Sequence, residues 1–427
     1  MFKKFNFKKL FLNRENILLL LLFTVFLFTR FYQLSDRMSF GFDQVQGAWA
    51  SKQIIIDHSF PLLGPVAKAS GGFSVGPFYY YALSFFYFIF NLNPIASAVF
   101  ASFVGIITFW IIFLCIKDIF NFKVAFIAVV LDTISYIVMD RTDWNASFIV
   151  PVSMLTFYLS YKILADKNKK HLLIWLGLVL GISFSVHFTS VFYPVLLLLL
   201  IPFLSWDKKT IFYSFIALII TLICLSPVII YDISSKNSET NGITSYLAIY
   251  YHGIHLVRIM QLLHDGFIEF AAIFRFSKIA DYFDYLLVPI FAIIYLYKKL
   301  NRNKIILVYM ISIWFLVPWI AFSTYAGELT NYYFWITRPA ALIVLSYLLY
   351  KIFEIKNIFP KIIVILFLAY LSYLDFYDFF ASIPSFEYKR EKANVFLDIK
   401  NNNKTPYNIH AGESYIYYYY HNYLKIK

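Results

Sequence analysis

Cysteine is almost absent from this chain. Cys115 and Cys224 are its two, and both fall inside apolar runs. They read as membrane-buried thiols, so no disulfide framework is implied. Charge is scarce as well: Asp, Glu, Lys and Arg make up 14% of the residues, against roughly a quarter in a soluble domain. Acid is the rarer sign, 24 residues against 37 basic, leaving +13. In a soluble protein that excess would raise nucleic acid as a partner. In a chain this apolar the positives read as topological anchors, and no nucleic-acid partner is expected. Internal repeats, low-complexity linkers and the spacing of a phosphate-binding loop are all missing.

Apolar residues dominate, at 61% with a mean hydropathy of +0.68. Runs of about 18 apolar residues or more recur from end to end, the length a helix needs to cross a bilayer. The aromatics, 49 Phe and 35 Tyr, read in part as interfacial belts. The expected fold is therefore all-α and polytopic, with about eleven transmembrane helices. The spans are placed at 17–34, 95–116, 124–139, 146–163, 171–188, 190–205, 211–231, 282–297, 305–323, 333–350 and 361–380. The basic N-terminus before them resembles a signal peptide without a small-residue cleavage site, so the first run is read as an uncleaved span.

Short connections carrying Lys117 and Lys123, Lys162 to Lys170, Lys208 and Lys209, Lys298 to Lys304, and Lys351 to Lys361 all fall inside under this count, as the positive-inside rule requires. Residues 77–90 are apolar but too short to cross alone, and read as an interfacial helix or the bent first part of the next span. The long outer loops are then 35–94 and 232–281. They belong to a transmembrane domain over 1–380, followed by an outer tail over 381–427 that reads as a small β-like appendage.

Two acidic loops share the outer face: Phe40-Gly41-Phe42-Asp43-Gln44, and Asp140-Arg141-Thr142-Asp143-Trp144-Asn145. A carboxylate so close to lipid is costly unless it has a partner or work to do. Residues 44–57 read as a short surface helix with Val45, Ala48, Trp49 and Ile55 on one side, and 64–77 as a flexible Gly/Pro loop. His187 sits at the outer end of its span. The loop 232–281 carries His252, His255, Arg258, His264, Asp265, Glu269, Arg275 and Lys278. The i, i+3 spacing of His252 and His255 suits a metal, but no clear third ligand accompanies them. No cofactor is assigned, and a divalent metal stays open. The spans themselves look nearly free of charge.

These residues carry a resemblance. The chain resembles the GT-C type of membrane glycosyltransferase, in particular the protein O-mannosyltransferase, aminoarabinose transferase and RgtA/B/C/D-like families. Asp43 opens the first outer loop. Gly76-Pro77-Phe78-Tyr79-Tyr80-Tyr81 is similar to the family's Pro-Leu-Tyr-Tyr stretch, and Arg141-Thr142-Asp143-Trp144-Asn145-Ala146-Ser147 to its Arg-x-x-Trp-Asn-Pro-Ser motif. Asn331-Tyr332-Tyr333 followed by Arg338-Pro339 is similar to a basic-Tyr motif before a proline-bearing helix. The likeness covers about residues 15–355. It departs at Asp43-Gln44, where the family has Asp-Glu, and at Val75-Gly76, where a basic residue is often found; Lys68 replaces it only if the loop folds back.

The resemblance implies transfer of a sugar from a polyprenyl-phosphate donor to a lipid, glycan or protein acceptor at the extracytoplasmic face of a bacterial plasma membrane. Inverting transfer needs one base, for which Asp43 is the candidate, with Asp143 as a second catalytic carboxylate. A leaving phosphate is best neutralised by cations, and Lys68, Arg141, Arg258 and Arg338 are the candidates. Gln44, Trp144, Asn145, His187, Glu328 and Tyr333 complete the expected site. A transporter or flippase of lipid-linked sugars, or a polymerase or ligase of such glycans, is the alternative.

Overall fold

The computed structural model describes residues 13–67, 72–135, 137, 139–251, 253–265, 286–297, 300–327, 329–381, 387–401 and 407–425. Among these the chain is all-helical; β pairing is limited to isolated bridges such as Val66 with Ser74 and Tyr251 with Tyr325. In chain order the helices used below are α1 (Arg14–Phe31), α2 (Phe42–Ile55), α3 (Phe78–Ile89), α4 (Ile95–Ile119), α5 (Phe122–Ser135), α6 (Ile149–Ala165), α7 (Leu172–Phe184) and α8 (Phe192–Leu200). They continue with α9 (Lys208–Ser234), α10 (Ser238–Tyr250), α11 (Leu256–Asp265), α12 (Leu287–Leu296), α13 (Arg302–Phe322), α14 (Arg338–Glu354), α15 (Ile358–Ala381), α16 (Glu387–Lys400) and α17 (Gly412–Tyr417).

Among the described residues six helices are long and apolar enough to cross a membrane: Ile95–Ile119, Asn145–Ala165, Lys208–Ser234, Arg302–Phe322, Tyr332–Glu354 and Ile358–Ala381. The other expected spans coincide with helices that are shorter, as α5, α7, α8 and α12 are, or that carry more charge, as α1 does with Arg14, Glu15 and Arg30.

One core joins α1, α4, α5, α6, α13 and α14, where Phe26, Phe109, Phe157 and Trp314 are fully buried. The indole of Trp314 donates to Ser153 at 3.2 Å, which is how a polar ring edge is satisfied inside apolar surroundings. Helix α9 runs against α7, where Gly177 and Gly181 leave space only for Ala217, Thr221 and Cys224. Small residues let two helices approach closely where water drives nothing.

The segment read as too short to span is α3. It reverses at Asn91 and Leu92, both with positive φ (48° and 60°), and lies back along α4, with Phe86 against Phe100 (5.2 Å) and Phe103 (5.3 Å). Its inner neighbour is α2, the expected surface helix, which buries Val45 and Ala48 and brings Gly47 against Leu83 and Tyr79.

Two expectations are corrected. The described part of the tail is helical rather than β-like. Tyr415 and Tyr419 stand one helical turn apart, as do Ile416 and Tyr420, so all four bury one face against α2, α3 and α16. The spans also hold charge. Asp132 in α5 and Arg338 in α14 meet at 2.6 Å with side-chain exposures of 4% and 1%, and Arg30 in α1 is wholly buried. Each is tolerated because it is paired and hydrogen-bonded.

Candidate active site

Five segments at helix ends converge: 41–45, 75–80, 140–145, 184–190 and 330–335. Asp43 lies in the first turn of α2, whose N-cap is Gly41. The Gln44 side chain accepts from the Gly41 amide at 2.9 Å, closing the helix start. The same side chain donates through its amide nitrogen to the carbonyl of Asp143, so one residue ties the two acidic loops together.

The two carboxylates occupy different environments. Asp43 is exposed to solvent, yet the surrounding protein removes enough water to raise its pKa above the usual carboxylate value. Asp143 is buried (1% exposed). Burial, with the charge of Asp43 added to it, pushes its carboxyl up to about 8, while the hydroxyl of Tyr79, donating to Oδ1 at 2.8 Å, pulls the other way. At neutral pH Asp143 is therefore largely protonated. The accessible carboxylate is Asp43.

Beyond them stands an aromatic wall. Trp144 meets Tyr332 edge-on at 4.3 Å; His187 faces Tyr332 at 5.6 Å and Tyr333 at 6.2 Å. Asn145 donates to the Val186 carbonyl at 2.8 Å, locking this loop onto the His187 turn. His187 caps a short helix: its Nδ1 accepts from the Thr189 amide at 3.3 Å and lies 2.9 Å from the Thr189 hydroxyl. Its ring thus closes the turn that holds the Asn145 loop.

The expected phosphate-binding cations are not gathered at one point. Arg141 is buried (3% exposed), donates to the Thr29 carbonyl at 2.7 Å and stacks over Phe379 at 5.1 Å; burial and the charges of Arg37 and Arg30 lower its pKa to about 10. Arg338 is ion-paired to Asp132 inside the bundle. Arg258 is partly exposed in α11 and donates to the Gly327 carbonyl at 2.9 Å. Lys68, Glu328 and His252 lie outside the described residues, as do 266–285 with Glu269, Arg275 and Lys278; nothing is described of the His264 and Asp265 side chains. The loop flanking Lys68 is nevertheless placed: the Ser74 amide donates to Glu239 at 2.6 Å, and Gly242 of α10 packs on Gly72. Further along α10, Tyr246 donates to the Tyr325 hydroxyl at 2.9 Å, beside the Arg258 contact. Among the described residues no three His, Cys, Asp or Glu side chains are grouped to hold a metal.

Residues 74–231 match the family of dolichyl-phosphate-mannose-protein mannosyltransferases. The fold is of the GT-C type. The GT-C fold is also that of ArnT from Cupriavidus metallidurans bound to undecaprenyl phosphate, at a TM-score of 0.59 and 13% identity, covering 93% of this chain and 74% of that one. An oligosaccharyltransferase from Archaeoglobus fulgidus shares it at a TM-score of 0.56 and 12% identity, covering 92% of this chain and 58% of that one. The related AglB complex with an inhibitory peptide and a dolichol-phosphate gives 0.55 and 13%, covering 94% and 61%. No curated protein matches the chain in sequence. The family matched over 74–231 is one of mannosyltransferases, in keeping with the enzyme expected from the sequence.

Three contributors escaped the sequence reading. Tyr79 was legible only as part of an aromatic stripe, although it stands inside the Pro-Phe-Tyr-Tyr stretch. Arg30 and Asp132 were single charges within apolar runs, a signal in itself, but nothing in the sequence names their partners.

Proposed function

We propose that this enzyme moves a sugar from a polyprenyl-phosphate donor to an envelope acceptor at the extracytoplasmic face of a bacterial plasma membrane, with inversion and with Asp43 as general base. The observation that carries the reading is the contrast between the carboxylates: Asp43 is open to an acceptor, Asp143 is not.

The chemistry follows. The acceptor hydroxyl gives its proton to Asp43 while its oxygen attacks the anomeric carbon from the face opposite the phosphate. The bond from that carbon to the phosphate oxygen breaks, and the lipid phosphate leaves as an anion without needing a proton. A base with a raised pKa is a better proton acceptor than an ordinary carboxylate. Arg258 and Lys68 are the cations available on outer loops to meet the phosphate. The Asp143–Tyr79 pair holds the second loop behind the base.

An apolar groove of about 460 Å³ suits the polyprenyl chain. It is lined by Leu176, Leu180, Phe184, Leu197, Leu204 and Leu218 among others. Its outer end reaches Phe184, whose carbonyl accepts from the Gly76 amide at 3.3 Å, next to the site. The relatives' ligands, undecaprenyl phosphate and dolichol-phosphate, are of this kind. The transporter reading finds less support, because the charges Arg30 and Arg338 in the helices are ion-paired rather than strung along a path.

The test is transfer by purified protein in nanodiscs from a panel of polyprenyl-phosphate sugars to envelope acceptors, with the anomeric configuration of product read by NMR. Inverted product supports the proposal. Retained configuration overturns the mechanism, and tight donor binding without turnover overturns the activity.

A further inference from the structure

Behind the Asp143 loop lies a reciprocal set of contacts between α1 and residues 140–141. Arg30 is fully buried and spends its whole guanidinium on the protein. Nε and Nη2 donate to Asp140 Oδ2 at 3.0 and 2.6 Å, and Nη1 donates to the Thr133 carbonyl at 2.7 Å and the Thr29 hydroxyl at 3.0 Å. The Phe26 ring lies 4.1 Å beneath the cation. The next residue along the loop answers in the opposite direction: Arg141 Nη1 donates to the Thr29 carbonyl at 2.7 Å. Gly105 of α4 backs the pair, and a Cβ there would stand 3.1 Å from both Cβ and Cγ of Asp140.

Such a construction is costly in a membrane protein. Two charges are taken out of water, and only good geometry repays that. Replacing the pair by apolar side chains would serve stability as well or better. What apolar packing cannot supply is a fixed register for the four residues from Asp140 to Asp143, which end on the buried carboxyl that meets Gln44 and Tyr79.

We propose that Arg30 and Asp140 are positioning residues that clamp the Asp143 loop to the first helix and so hold it in register against Asp43. The clamp rests on the functional reading above for its purpose, but not for its detection. A planar guanidinium with several fixed donors suits the task; a lysine keeps the charge and loses the fork.

The experiment compares wild type with Arg30→Lys and Asp140→Asn in nanodiscs. It measures backbone amide exchange over residues 139–145 and, separately, kcat and donor KM. The expected result is exchange at least 10-fold faster in 139–145 with the rest of the bundle unchanged, and kcat at least 30-fold lower at unchanged KM. Gly105→Ala, which presses on Asp140 without removing a charge, is the second variant should the others fail to fold, and moves both readouts in the same direction by less. Unchanged exchange in 139–145 overturns the clamp. So does faster exchange spread over all helices, which marks a general stability role, or a loosened loop with full kcat. If wild type itself transfers no sugar, the functional reading fails while the exchange measurement still decides the clamp.

Discussion

The side-chain amide of Gln44 donates to the main-chain carbonyl of Asp143, across 99 positions of sequence. Its oxygen at the same time accepts from Gly41. The position after Asp43 therefore needs a side chain that both accepts and donates. A glutamate would keep the bond to Gly41, lose the bond to Asp143 and add a negative charge beside two carboxyls.

Gln44→Glu, although it creates the Asp-Glu pair of the pattern the sequence resembles, is expected to destabilise the protein by about 1–3 kcal/mol, the cost of leaving a buried acceptor unsatisfied. Thermal unfolding in detergent checks this. An equal or higher unfolding temperature would mean that the Gln44 link carries no weight.

Asp143 makes stability depend on pH. Its carboxyl titrates near pH 8 in the folded protein against an ordinary value of 3.8. Between those values the folded state holds a proton that the unfolded chain has released. The contribution is therefore fully favourable below about pH 4, declines as pH rises, by at most about 1.4 kcal/mol per unit, and levels off above about pH 8. The difference in unfolding free energy between wild type and Asp143→Asn isolates this term and should slope across that window. Tyr79→Phe removes the bond that lowers the pKa and should carry the upper edge of the window to higher pH. A flat difference would show Asp143 to be solvated.

The Asp132–Arg338 pair is a second buried ion pair. Removing one partner, in Arg338→Met, leaves a buried charge and should cost about 3–5 kcal/mol; removing both, in Asp132→Leu with Arg338→Met, should recover most of that loss. Unfolding of the two variants under identical detergent conditions measures it. A double variant no better than the single one would assign Arg338 a role beyond its partnership with Asp132.

Much of this was legible in the sequence, for identifiable reasons. The apolar runs are long enough that all-helical architecture is the outcome lipid permits, and the α2 surface helix betrayed itself through Val45 and Ala48. Asp143, Trp144 and Asn145 stand in one short motif, and their convergence with His187 and Tyr333 follows from all of them lying at helix ends. Arg30 and Arg338 were harder. A pattern of hydropathy sees an isolated charge but not its partner on another helix, and Arg30 finds Asp140 110 positions away. The tail misled because Tyr417 to Tyr420 reads as β-forming by composition, whereas packing on Trp49 and Tyr87 selects a helical face.

The most direct test of the account is Asp43→Asn, assayed for sugar transfer in nanodiscs beside wild type, with donor binding and thermal unfolding measured on the same preparation. A general base in this position predicts a fall in kcat of about 10²–10⁴-fold with donor affinity and unfolding temperature unchanged. Transfer by the folded variant at the wild-type rate would contradict it.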